Sequence, residues 1–142
     1  MNIKMFYKAI TGVALGCTIS LSSFAEVVVI VHPSNNATFS QKAVQRIYLG
    51  KEKKFSDGKE ALPVNQVPSS AARESFDSDT LGRSTNQVAA YWSKLVFTGK
   101  GIPPKELDND SAVISIVAEN PNAIGYVDSA SVTGTVKAVS LN

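Results

Sequence analysis

Residues 62–76 constrain the fold most, because a short apolar strand is followed there at once by a helix. The chain turns through Pro68, and a helix is predicted to begin at Ser69 or Ser70, since serine is a favoured N-cap residue. The first N–H groups of such a helix are unpaired, and the helix dipole adds partial positive charge beside them. An oxyanion can bind at a turn of this kind, although a serine cap without a ligand would explain the same residues.

Five residues are candidates for holding an oxyanion. Ser69 and Ser70 offer hydroxyl donors at the turn, and Arg73 follows one helical turn later. Its guanidinium presents a fork of donors that matches a tetrahedral oxyanion. Gln66 lies two residues before Pro68, and Ser34 lies in the loop after the first predicted strand, which is the second place where we expect an anion.

Residues 1–25 have the features of a secretory signal peptide. Two lysines give a positive start, a mostly apolar run follows, and Ser23 and Ala25 are small residues of the kind that a signal peptidase reads. We therefore expect cleavage after Ala25 and export to the periplasm. Cys17 follows Ala-Leu-Gly, which also resembles a lipoprotein cleavage site, so lipid attachment at Cys17 is an alternative.

Cleavage after residue 25 would leave a charge-balanced chain without cysteine. The full sequence has 14 Lys and Arg against 12 Asp and Glu. The first 25 residues take two of the lysines and none of the acids, which leaves 12 basic against 12 acidic residues. This balance gives no reason to expect nucleic acid or another polyanion as a partner. Residues 26–142 are enough for one domain, which must be stabilised by its core rather than by a disulfide.

The same part of the chain alternates between strand and helix patterns. Strands are predicted over residues 26–32, from 62, over 123–127 and over 136–141. Helices are predicted to begin at Ser40, at Ser69 or Ser70, at Ser84, and at Asp110 or Ser111. The third helix should bury Val88, Ala89, Trp92, Leu95 and Val96, and Gly125 should let a neighbouring backbone approach the strand closely. This alternation predicts an α/β fold with a mixed sheet of about four strands and helices on both faces.

Known catalytic, metal-binding and nucleotide-binding patterns are missing from the sequence. His32 is the only histidine, and a lone histidine at the end of a strand is usually structural. We therefore expect a protein that is not an enzyme and that has no cofactor and no metal site.

Five segments of the chain carry a family resemblance. They are Leu49-Gly50-Lys51, Phe55-Ser-Asp-Gly58, Leu62-Pro-Val64, Ser69-Ser-Ala-Ala-Arg-Glu-Ser-Phe76 and Asn120-Pro-Asn-Ala-Ile-Gly-Tyr-Val127. Their order resembles the second domain of the phosphate-binding proteins of phosphate ABC transporters, and the last segment is the most specific of the five. The resemblance covers nearly all of residues 26–142. It implies a single lobe of the periplasmic-binding-protein type II fold, and as partners an ABC transporter membrane component or another envelope protein.

The phosphate-binding residues of that family are kept only in part. The serine of its Ser-Gly-Thr motif corresponds to Ser70, but the glycine and threonine correspond to Ala71 and Ala72. The family's arginine four residues before this serine corresponds to Gln66. The resemblance therefore implies weak binding of phosphate or another oxyanion, with Arg73 compensating in part. The alternative is a ligand-free interaction or assembly module of the cell envelope that kept the fold and lost the site.

Overall fold

The computed structural model describes residues 26–141, which form a sheet flanked by helices. The strands are β1 (Val27–Val31), β2 (Leu62–Gln66), β3 (Lys105–Leu107), β4 (Ala123–Asp128) and β5 (Lys137–Val139). The helices are α1 (Gln41–Tyr48), α2 (Ala71–Phe76), α3 (Thr85–Phe97) and α4 (Asp110–Glu119), with a π-helical turn at Asp77–Leu81 and a 3-10 turn at Ser129–Ser131. The predicted signal peptide, with Cys17 and Ala25, lies outside the described residues. No helix within residues 26–141 has the length and hydropathy that crossing a bilayer requires.

The sheet is mixed, with strand order β3-β2-β4-β1-β5. β2 runs parallel to β3 and β4, whereas β1 runs antiparallel to β4 and β5. The carboxyl ends of β2 and β4 therefore meet at one edge of the sheet, and β1 ends at the opposite edge. The predicted mixed α/β sheet is confirmed with five strands rather than about four. β3 was not predicted, because Lys-Glu-Leu has neither the length nor the apolar residues of a strand pattern.

Both faces of the sheet are covered. In β1, Val29 and Val31 pack with α1, α2 and α3, whereas Ile30 between them packs with α4 on the other face. In β4, Tyr126 packs in the same layer as Val29, and Val127 packs in the same layer as Ile30. An interior strand buried on both faces is apolar throughout rather than alternating, which explains the unbroken Val-Val-Val-Ile-Val run of β1. The prediction of helices on both faces is confirmed.

Three of the four predicted helix starts are confirmed. The N-caps of α1, α2 and α3 are Ser40, Ser70 and Ser84. The prediction for α4 was wrong by one residue, because Asn109 rather than Asp110 or Ser111 is the cap. The Asn109 backbone is extended, and its side-chain oxygen accepts the N–H of Ala112 at 2.9 Å, so the helix begins directly after it.

Helix α3 is buried along a narrower face than the sequence predicts. Val88 and Trp92 are buried, Leu95 is half-buried, and Ala89 and Val96 are exposed. A Cβ added to Gly50 would lie 2.8 Å from the Trp92 ring, so the ring packs directly on the backbone that follows α1. Tyr91 and Leu95 pack partly against the core, whereas Ala89 and Val96 remain outside it.

Candidate functional site

The carboxyl ends of β2 and β4 border a cleft of about 880 Å³. Helices α2 and α4 both begin at this cleft, and their first two residues line it: Ala71 and Ala72 of α2, and Asp110 and Ser111 of α4. The backbone N–H groups of these residues donate no hydrogen bond within residues 26–141, as is usual in the first turn of a helix. The cleft thus collects unpaired donors from two helix ends, at the edge of an α/β sheet where ligands generally bind.

Gln66 and Ser70 hold these two helix ends together. Gln66 is 1 % exposed, and its Oε1 accepts a hydrogen bond from Ser70 Oγ at 2.7 Å. Its Nε2 donates to Asp110 Oδ1 at 2.8 Å and to the backbone oxygen of Tyr126 at 3.0 Å. Ser70 Oγ also accepts the N–H of Arg73 at 3.3 Å as the cap of α2. Both predicted site residues are therefore committed to internal hydrogen bonds that position the cleft.

The charged side chains that line the cleft are all carboxylates, namely Asp79, Asp108, Asp110 and Asp128. Asp110 Oδ2 accepts the N–H of Asp128 at 3.2 Å and Ser131 Oγ at 2.8 Å. Asp79 and Asp108 are exposed, and their carboxylates accept no hydrogen bond from residues 26–141. A helix end carries about half a positive charge, so the carboxylates outweigh the two helix ends and the cleft is negative. These residues do not form a metal-ligand group, and none is found elsewhere in the described chain.

Arg73 does not reach the cleft. Its side chain is 4 % exposed and donates from Nε to Asp77 Oδ2 at 2.7 Å. Nη1 donates to the backbone oxygen of Gln66 at 2.8 Å and to Glu106 Oε2 at 3.2 Å. A buried guanidinium requires such partners, and Asp77 at i+4 supplies the nearest one. The Arg73 guanidinium is thus held by internal partners and does not line the cleft beside Ser70.

Ser69 and Ser34 also lie away from the cleft. Ser69 is exposed in the turn before the cap and does not line the cleft. Ser34 Oγ is hydrogen-bonded to His32 Nδ1 at 2.7 Å and borders a separate cavity of about 80 Å³. Since β1 is antiparallel to β4, Ser34 lies at the opposite edge of the sheet. The structure thus brings together two of the five predicted residues, Gln66 and Ser70.

The start of α4 and the aspartates are the parts of the cleft that the sequence analysis missed. Asp128 directly follows the strand predicted over residues 123–127 and is the last residue of β4, and ligands gather at strand ends in α/β folds. Asp110 had been considered only as a cap. The strand-end rule that identified the Pro68 turn identifies Asp128 when it is applied to the end of β4.

Two tyrosines are buried behind the cleft. The Tyr126 hydroxyl donates to Asn65 Oδ1, and the Tyr48 hydroxyl donates to the backbone oxygen of Val64 at 2.8 Å. Burial raises the pKa of both phenols above the ordinary tyrosine value. Both hydroxyls therefore stay protonated at neutral pH and serve as donors that tie β4 and α1 to β2.

The fold that places the cleft at these strand ends is shared with solved structures of phosphate transport proteins. An ABC-type phosphate transport receptor from Vibrio cholerae is 21% identical, with a TM-score of 0.64 over 81% of this chain and 45% of that one. A protein from Clostridium perfringens, named as a phosphate ABC transporter substrate-binding protein and solved with bound phosphate, is 21% identical, with a TM-score of 0.65 over 81% and 44%. PstS from Borrelia burgdorferi is 14% identical, with a TM-score of 0.57 over 82% and 47%.

The chain thus spans less than half the length of each of these proteins, which is the size expected for one lobe. The resemblance to phosphate-binding proteins of ABC transporters is confirmed at the level of the fold. That these neighbours are named as receptors and substrate-binding proteins agrees with the expectation of a protein that is not an enzyme. No protein-family model and no curated protein sequence match the chain.

Proposed function

We propose that the chain is an exported solute-binding lobe of the phosphate type that binds hydrogen phosphate, or a similar protonated oxyanion, weakly in the cleft. The convergence of two helix N-termini, with unpaired N–H groups at Ala71, Ala72, Asp110 and Ser111, carries this proposal. The shared fold of phosphate receptors, one of them with phosphate bound, supports it.

The carboxylates restrict which oxyanion fits. Asp79 and Asp108 repel a fully ionised anion but accept a hydrogen bond from a protonated one. Phosphate keeps at least one proton near neutral pH, whereas sulfate keeps none. We therefore expect phosphate to bind better than sulfate, and more tightly as the pH falls and the monoanion replaces the dianion.

The place of action follows from the predicted signal peptide. Cleavage after Ala25 would release the lobe into the periplasm, where an ABC transporter membrane component or another envelope protein would receive the ligand. An open cleft contacts its ligand from one side and therefore binds it weakly. A partner that covers the cleft would raise the affinity for the ligand.

The substitution Ala71→Pro tests the α2 donors directly. Residue 71 is the first residue of α2, where proline removes an N–H without breaking the helix. The Ser70 backbone, with φ −70° and ψ 133°, suits the residue before a proline. Losing one donor to an anion should weaken phosphate binding about tenfold in calorimetry.

The matched control is Thr85→Pro, which makes the same change at the first residue of α3, away from the cleft. It should leave phosphate affinity unchanged. Equal affinity of the Ala71→Pro variant and the wild type would show that the ligand does not use the α2 terminus. Asp108→Asn should narrow the preference for phosphate over sulfate.

A ligand-free interaction module is the second candidate, and the charge of the cleft favours it. The carboxylates of the cleft form no ion pair with a Lys, Arg or His among the described residues. Arg73 is paired with Asp77 and Glu106 instead. Under this function neither phosphate nor sulfate at millimolar concentration would give heat or raise the melting temperature. Crosslinking in the periplasm would then identify the partner protein.

A further inference from the structure

Three large apolar side chains are exposed within seven residues of one another at the end of α3. Phe97 is 91 % exposed, Ile102 90 % and Val96 52 %. Leu62, at 46 %, is the remaining exposed large apolar residue among those described, and it lies in β2. Residues 94–105, here called the α3 tip, thus hold a group of apolar side chains that the fold does not cover. Single exposed apolar residues are ordinary, but a group of them marks a contact surface.

The α3 tip has a defined shape. Gly99 adopts φ 69° after the helix, its N–H donates to the oxygen of Val96 at 3.1 Å, and the N–H of Lys100 donates to the oxygen of Leu95 at 2.8 Å. This pair of bonds is a Schellman motif, which fixes the chain as it leaves a helix. A Cβ on Gly101 would lie 3.1 Å from the buried Trp92 ring, so the loop is packed against the helix. Phe97 and Ile102 therefore project from a loop whose backbone conformation is fixed by hydrogen bonds and packing.

The charge of the α3 tip is entirely positive. Residues 94–105 contain Lys94, Lys100 and Lys105 and no Asp or Glu. Both ion pairs found within residues 26–141 belong to Arg73, so these three ammonium groups are unpaired there. Since residues 26–142 carry no net charge, the basic tip and the acidic cleft reflect a separation of charge within the chain.

We propose that the α3 tip binds the surface of an anionic lipid bilayer, with Phe97 and Ile102 entering the headgroup region and the lysines lying at the lipid phosphates. Aromatic and aliphatic side chains flanked by lysines suit this position, because the lysine stems lie along apolar surface while the ammonium groups stay in water. A second copy of the chain docked tip to tip fits less well, since it would bring Lys94 and Lys100 against their own equivalents.

The size of the patch also favours a lipid surface over a protein partner. A stable protein interface buries about 800 Å² on each side, and a fully buried large aromatic side chain contributes about 150 to 250 Å². Three partly embedded side chains fall short of that area. A bilayer accepts a few anchoring side chains together with basic residues.

Vesicle flotation tests this inference with the chain that begins at Glu26, which contains every strand and helix described above. It should float with vesicles of equal parts phosphatidylglycerol and phosphatidylethanolamine, and much less with phosphatidylcholine vesicles or at high salt. Replacing both apolar anchors, Phe97→Ser with Ile102→Ser, should lower the partition coefficient at least about tenfold. Lys100→Glu should lower it at least about fivefold on the anionic vesicles only.

Two control variants distinguish binding through the α3 tip from non-specific binding of the protein to vesicles. Leu62→Ser removes the exposed apolar residue of β2, and Lys42→Glu reverses an exposed lysine of α1. Both should float like the wild type, and circular dichroism should show all variants folded. Failure of the wild type to float with anionic vesicles would overturn the inference and leave a protein as the occupant of the tip. Undiminished flotation of the double variant would overturn it equally.

Discussion

The guanidinium of Arg73 connects three elements, because it bonds to Asp77 after α2, to the end of β2 and to Glu106 of β3. Asp77 is fully buried, and its second oxygen, Oδ1, has no hydrogen-bond partner among the described residues. Its charge therefore depends on Arg73 alone. A solvent-facing arginine at this position would tolerate loss of its side chain, whereas the buried ion pair with Asp77 would not.

Arg73→Ala should lower the free energy of unfolding by about 3 to 5 kcal/mol, because it leaves an uncompensated carboxylate in the interior. Urea denaturation followed by circular dichroism measures this loss. Arg83→Ala is the matched control, since Arg83 lies over the ring of Tyr91 at 5.2 Å and should cost about 0.5 to 1 kcal/mol. Similar stability of the two variants would contradict the assigned role of Arg73.

Gly125 is a second residue at which the surrounding side chains leave no room for a Cβ atom. A Cβ there would lie 2.5 Å from Val113 Cγ1 and 3.2 Å from Val64 Cγ2. The close approach predicted from the sequence is present, but it comes from side chains of α4 and β2 rather than from a neighbouring backbone. The glycine therefore lets α4 lie close to the sheet.

Gly125→Val should destabilise the chain by about 1 to 3 kcal/mol through overpacking. Gly134→Val provides the comparison, because nothing lies within 4 Å of a Cβ at that position. Thermal unfolding should show a lower melting temperature for the first variant only. An unchanged melting temperature for Gly125→Val would mean that α4 can move away from β4 at little cost.

At the scale of elements, α3 depends on its first turn. Ser84 Oγ accepts the N–H of Gln87 at 3.1 Å, and Gln87 Oε1 accepts the N–H of Ser84 at 2.9 Å, which forms a capping box. Val88 and Trp92 are the buried residues of this helix, and Tyr91 and Leu95 pack against the core in part, so the cap adds to a modest buried face.

Ser84→Ala should cost about 1 kcal/mol of stability. Because Trp92 is the only tryptophan in the sequence, its fluorescence reports the unfolding of α3 directly. Ser93→Ala, at an exposed position of the same helix, should change stability by less than about 0.5 kcal/mol. A larger effect at Ser93 than at Ser84 would argue against the cap.

The elements that the sequence predicted are those with local causes. Serine caps and uninterrupted apolar runs identified α1, α2, α3, β1 and β4. A cap or a buried strand depends on a few consecutive residues and is therefore visible in the local sequence. β3 has only three residues and exists because it pairs with β2. The partners of Arg73 and the carboxylates around the cleft come from distant parts of the chain, so a local reading of residues 62–76 found the turn but not the charge of the site.

At the scale of the whole molecule, export is the prediction that sequence alone supplies. Protein recovered from the periplasm should begin at Glu26, because Ser23 and Ala25 meet the small-residue requirement of signal peptidase. Intact-mass spectrometry measures the start. A chain that begins at a lipid-modified Cys17 would replace this prediction with membrane anchoring.

The position of β1 in the sheet has a consequence for how the chain acquires its fold. The first of the described strands, β1, pairs with the last two, β4 and β5, about a hundred residues later. Contacts so distant along the chain close slowly, because the intervening loop must first lose its freedom. A nascent chain therefore holds its most apolar strand without a partner until nearly all of the sequence has been made, and a chaperone has that whole interval in which to bind it.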